Sequence, residues 1–120
     1  MLHLSSTIKY YLYSAPADMR KGFDSLSGIV SSHMNQQVLG GSIFIFLNRN
    51  RTHIKLLLWE GDGFAIYYKR LEQGTYELPR CDTGTTSMNI TCQQLQFMLQ
   101  GVALQKIEYR KRYEKPALGY

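Results

Sequence analysis

Phe44-Ile45-Phe46-Leu47-Asn48-Arg49-Asn50-Arg51-Thr52-His53-Ile54-Lys55-Leu56-Leu57-Leu58-Trp59-Glu60-Gly61-Asp62-Gly63-Phe64 reads as two apolar strands joined by a basic turn, with a second turn leading into a third strand. Ser42–Asn48 is the first strand expected: Ile43, Ile45 and Leu47 point one way, Phe44 and Phe46 the other. Ile54–Glu60 is the second, apolar on both faces and therefore interior to the sheet. Gly61-Asp62-Gly63 is a hairpin signal, and Phe64–Leu71 follows as the third strand. Phe64, Ile66 and Tyr68 share one face of it, and Ala65, Tyr67 and Lys69 the other. Such a meander projects Arg49, Arg51 and His53 from one end, with Lys55 just inside the next strand on the same face as His53.

Upstream, Tyr10-Tyr11-Leu12-Tyr13 is rich in strand formers and is closed by Pro16. Asp18 stands where a helix N-cap would stand. Met19, Phe23, Leu26, Val30 and Met34 recur at helical spacing, which predicts a helix over Met19–Met34 weakened by Gly22 and Gly28. Asn35 to Gly41 is a loop. Downstream, Gly74 to Thr86 is an extended connection containing Pro79 and Gly84. Thr91-Cys92-Gln93-Gln94 has the capping-box form and opens a helix over Thr91–Gln100, with Leu95, Met98 and Leu99 on one side and Gly101 as its terminating glycine. The expected architecture is a single α+β domain over residues 1–105, an antiparallel β-meander of three or more strands packed with two to three helices. A basic tail, 106–120, follows: Lys106, Arg110, Lys111, Arg112 and Lys115 against Glu108 and Glu114 supply +3 of the total charge of +5.

A chain of 120 residues suits one domain and can hold a core without disulfide or metal staples. The excess of cations favours an anionic partner, nucleic acid first, although charge of this sign also simply keeps a protein in solution. Cys81 and Cys92 have neither CxxC nor metal spacing and read as reduced thiols of a cytoplasmic protein. The first residues lack the form of a signal peptide, and no apolar run reaches the ~18 residues of a membrane span.

No catalytic residue is indicated. Two-metal strand transfer needs converging carboxylates, and Asp18, Asp24, Glu60, Asp62, Glu72, Glu77, Asp82, Glu108 and Glu114 form no such pattern. His3, His33 and His53 are not spaced for a metal, and neither a GxSxG elbow nor a GxxxxGK[ST] loop occurs, so no cofactor and no metal are implied. Binding is better supported. The candidate DNA-binding residues are Arg20, Lys21, Arg49, Arg51, His53, Lys55, Lys69 and Arg70, with Arg110, Lys111 and Arg112 from the tail. Arg20 and Lys21 fall in the first turn of the expected helix, where the macrodipole disfavours cations unless a phosphate is present. A solvated face, or an ion pair from Arg20 to Asp24 one turn on, is the plainer explanation of the same residues. Aromatics beside cations can stack unpaired bases, but strand aromatics are more often packing; Trp59 reads as core.

Several blocks together resemble the accessory protein of certain bacterial insertion sequences, the TnpB-type partner of a separately encoded DDE transposase and not the RNA-guided nuclease that shares the label. They are Tyr11-Leu12-Tyr13 with Pro16, Asp18-Met19-Arg20-Lys21-Gly22-Phe23-Asp24-Ser25-Leu26, Asn48-Arg49-Asn50-Arg51, Ile54-Lys55-Leu56-Leu57-Leu58-Trp59-Glu60-Gly61-Asp62-Gly63-Phe64 and Tyr68-Lys69-Arg70-Leu71-Glu72-Gln73-Gly74. The chain departs from the family's pattern at Asn50, where an arginine is common, and at Gln36-Gln37-Val38, where a proline is usual. The resemblance implies a non-catalytic accessory factor for transposition whose partners are DNA, through its phosphate backbone, and the transposase of the same element. An adaptor that binds the transposase with little or no DNA contact is the alternative, favoured if a sheet with two apolar faces and few helices leaves a patch uncovered. No oligomeric state is implied.

Overall fold

The computed structural model describes residues 3–79 and 85–101. The elements in chain order are β1 (Tyr10–Tyr13), α1 (Phe23–Ser32), β2 (Ile43–Leu47), β3 (His53–Trp59), β4 (Phe64–Arg70), β5 (Ser87–Ile90) and α2 (Cys92–Gln100). They form one five-stranded sheet in the order β4-β3-β2-β1-β5. The β2-β3-β4 meander is antiparallel as expected, with Phe44 opposite Leu57 and Leu57 opposite Ile66.

The sheet as a whole is mixed, which corrects the purely antiparallel reading. β1 runs parallel to β2, with Tyr11 opposite Phe44, and antiparallel to β5, with Tyr11 opposite Asn89. A parallel pair needs a crossover, and α1 supplies it between β1 and β2. The short strand β5 carries only Ser87-Met88-Asn89-Ile90, too weak a pattern to declare itself without its partner.

Alternation divides the core into two layers, as the side-chain pattern requires. Tyr10, Leu12, Ile43, Ile45, Leu47, Ile54 and Leu56 face α2 through Leu95 and Met98. Phe44, Phe46 and Leu57 face α1 through Leu26 and Val30, joined by Ala17 and Met34. Both faces of the central strands are therefore covered. Coverage thins over the edge strand β4, none of whose residues is fully buried.

Helix α2 matches expectation in detail. The Thr91 hydroxyl accepts from Gln94 N–H at 3.0 Å, the Gln94 side chain accepts from Thr91 N–H at 2.9 Å, and Gly101 ends the helix in the left-handed region at φ 84°. Helix α1 is shorter than expected. Asp18 does not cap it; its carboxylate and carbonyl instead close a turn on Arg20 N–H (2.9 Å) and Lys21 N–H (3.1 Å). Gly22, in extended conformation, is the N-cap, so the helix begins at Phe23.

Candidate nucleic-acid interface

The strand directions bring the basic segments to one end of the sheet. β1, β2 and β4 finish there, and β3 begins there, because β1 parallels β2 and β3 opposes both β2 and β4. The β2–β3 turn, Asn48 to Thr52, forms the apex. Arg51 N–H donates to Asn48 O at 3.0 Å, and Arg51 itself adopts φ 57°. A left-handed arginine is strained by ~1 kcal/mol or more, so the surroundings must hold it. They do so from both sides. Tyr76 N–H donates to Arg51 O at 2.7 Å. The Asn48 carboxamide oxygen accepts from Thr52 N–H (2.9 Å) and His53 N–H (3.0 Å), while its nitrogen donates to Thr52 Oγ1 (3.0 Å). The turn thus carries Arg49 and Arg51 on a fixed backbone, and neither makes an ion pair among the described residues. A cleft of about 220 Å³ between this turn and the segment after β1 is lined by Tyr13, Pro16, Leu47, Arg49, Arg51 and Leu78.

The Arg20–Lys21 segment reaches the same end along the α1 face. Ala17 N–H bonds Leu47 O at 2.8 Å, which ties the chain leaving β1 to the end of β2. Lys55 holds the next few residues. Its Nζ donates to Met19 O (2.8 Å) and Lys21 O (2.7 Å) and lies 4.7 Å from the centre of the Tyr68 ring. Lys55 is only 7% exposed. It does not present its charge to solvent, contrary to its expected place on a phosphate-binding surface. The physical reason is local: on an apolar strand flanked by Phe46 and Tyr68, the long stem is buried and the ammonium finds two carbonyls instead of water.

Arg20 and Lys21 precede the helix instead of occupying its first turn. That turn holds Asp24, which already satisfies the macrodipole and repels an anion. Arg20 pairs with Asp18 at 2.7 Å, not with Asp24. The hydrogen bond from the Arg20 side chain, reinforced by that from its backbone, holds the Asp18 carboxyl down at about 2. Lys21 is exposed and makes no ion pair among the described residues. At the end of β4, Arg70 stands opposite His53 and pairs with Glu72 at 2.7 Å. His53, Tyr68, Arg70 and Glu72 line an open hollow of about 340 Å³.

Arg20, Lys21, Arg49, Arg51, His53 and Arg70 therefore share one end of the sheet. Lys69, paired with Ile54, points to the opposite face. Arg110, Lys111 and Arg112, and Cys81 with them, lie outside the described residues. Among those described, no group of three His, Cys, Asp or Glu side chains is placed to hold a metal ion, and no helix is long and apolar enough to cross a membrane. Two features escaped the sequence reading. Asn48 organises the turn, and Tyr68 lies 51% exposed among the cations. A lysine within Ile54-Lys55-Leu56-Leu57-Leu58 was the available sign that a buried ammonium, not a surface one, sits here.

Comparison with known proteins places matches across most of the chain. The family described as IS66 Orf2-like protein matches residues 8–109. The uncharacterized protein y4hO of Sinorhizobium fredii (strain NBRC 101917 / NGR234) is 28% identical over 102 residues, covering 85% of this chain and 87% of the relative. The uncharacterized protein y4jC of the same organism is 22% identical over 116 residues and 97% of each chain. No solved structure matches.

Proposed function

The chain belongs to the IS66 Orf2-like family of insertion-sequence proteins, and from that premise we propose that it is a non-catalytic accessory factor for transposition, binding duplex DNA through the basic end of its sheet and assisting a separate transposase of the same element. The observation that carries the DNA part is the β2–β3 turn: two arginines without carboxylate partners among the described residues, on a backbone locked by Asn48 and Tyr76. Arginines so placed suit phosphate, because the planar guanidinium fork matches phosphate oxygens and the fixed turn backbone need not be ordered on binding. Lys21 adds a third cation without an ion-pair partner among the described residues. Arg20 and Arg70 are committed to Asp18 and Glu72 and contribute less. Contacts of this kind position a duplex without reading its sequence.

The adaptor alternative loses part of its motive, since α1 and α2 cover both faces of the inner strands. What supports it is the edge strand β4 with Tyr68 exposed, and Phe23, 48% exposed, at the start of α1. Duplex binding by the Arg49→Ala/Arg51→Ala protein separates the two readings. The DNA-binding account expects a loss on every duplex sequence alike, with capture of the transposase retained. Duplex binding that is absent from the parent protein or unchanged in the double variant, with the transposase still captured, supports the adaptor instead.

A further inference from the structure

Tyr68, on the α1 face of the sheet, stands half in solvent, and its surroundings are unlike those of its strand neighbours. Phe64 and Ile66, on the same face of β4, pack into the core layer under α1. Tyr68 lies beyond that cover. Lys55 Nζ sits over one side of its ring at 4.7 Å and is itself immobilised by the carbonyls of Met19 and Lys21. β4 is an edge strand of the sheet, so among the described residues no strand flanks the ring on the other side. The His53 ring lies alongside, 6.0 Å away and tilted by 36°. Arg70, opposite His53, gives Nε and Nη2 to Glu72, and its Nη1 makes no hydrogen bond among the described residues.

An exposed ring held rigid from below, with an imidazole and a guanidinium beside it, is the arrangement that stacks an unpaired nucleobase. We propose that Tyr68, with His53 and Arg70, forms a stacking platform for single-stranded DNA, separate from the duplex-positioning turn. This rests on the DNA-binding reading above. The ring supplies a π-face that accepts any base, so the site tolerates sequence. A duplex cannot use it, because its bases are already stacked on one another. Glu72, in the same hollow, takes Nε and Nη2 of Arg70 and leaves Nη1 as the donor for the backbone.

The test measures binding of the full chain to a fluorescent oligothymidylate of about a dozen nucleotides, within the site size of such modules, and to a duplex of similar length. The platform predicts that Tyr68→Leu weakens oligothymidylate binding about 5- to 100-fold, that Tyr68→Phe retains it, and that duplex binding changes less than about twofold for either. Tyr68→Trp, which keeps a ring for Lys55 to cover, should show emission quenched by oligothymidylate beyond any change of Trp59 in the parent protein. Tight duplex binding with oligothymidylate affinity indifferent to Tyr68→Leu, and no extra quenching in Tyr68→Trp, overturns the platform while leaving the DNA-binding reading intact. Failure of the parent protein to bind either nucleic acid overturns both.

Discussion

Replacing Lys55 by methionine removes a charge from the interior and keeps most of the stem. Two effects oppose. The substitution deletes two charge-assisted hydrogen bonds, to Met19 O and Lys21 O, and a cation–π contact with Tyr68. Hydrogen bonds to a charged group contribute ~1.5–3 kcal/mol each and a cation–π contact ~0.5–2 kcal/mol. Against this, burying the ammonium costs several kcal/mol that methionine avoids. The freed carbonyls belong to half-buried Met19 and exposed Lys21 and can recover water. The net loss should be about 1–4 kcal/mol, or on the order of 10 °C in Tm. Urea melts at neutral pH measure it, and hydrogen exchange at the Lys21 amide, bonded to Asp18 O, should accelerate as the segment loosens. A loss below ~1 kcal/mol with unchanged exchange would refute the claim that Lys55 anchors the Asp18–Gly22 segment.

The same geometry sets three further outcomes. Leu57, wholly buried between β2 and α1, should lose about 2–5 kcal/mol on truncation to Ala in denaturant melts, whereas half-buried Leu58 should lose visibly less; equal losses would contradict the layer assignment. Gly28 lies exposed in the interior of α1, and no neighbouring atom lies within 4 Å of where an alanine methyl would stand, so Gly28→Ala should stabilise by about 0.5–1 kcal/mol, and destabilisation would show that the helix is misplaced. The Asp18 carboxyl should titrate at about 2 by NMR and return toward ~4 in Arg20→Gln; its pKa is depressed on folding, so the ion pair is fully formed above about pH 4 and is lost as pH falls through 2, and an unshifted carboxyl would remove the pair.

The meander was legible because alternation and turn chemistry are local. Ile43-Phe44-Ile45-Phe46-Leu47 divides between two layers as its pattern requires, and Thr91 with Gln94 caps α2. The placement of β1 between β2 and β5 was not legible, since four-residue strands acquire meaning only from distant partners. Asp18 offered the same chemistry to a helix or to a turn, and Gly22 decided for the turn by taking the cap position. Arg49 and Arg51 could be placed at a turn from sequence, but the Asn48 carboxamide that fixes it could not. Lys55 reads as a surface cation only when charge is weighed before burial: the apolar residues around it point to an anchored ammonium. Trp59, expected in the core, is half-buried at the strand end against Phe64, 5.0 Å between ring centres.

The most direct test of DNA binding through the basic end is the salt dependence of duplex affinity. With roughly three to five phosphates neutralised, the log–log slope of the parent protein should be about −3 to −4.5, and Arg49→Ala/Arg51→Ala should flatten it by about two. A parent slope near zero, or a slope unchanged in the double variant, would contradict the account.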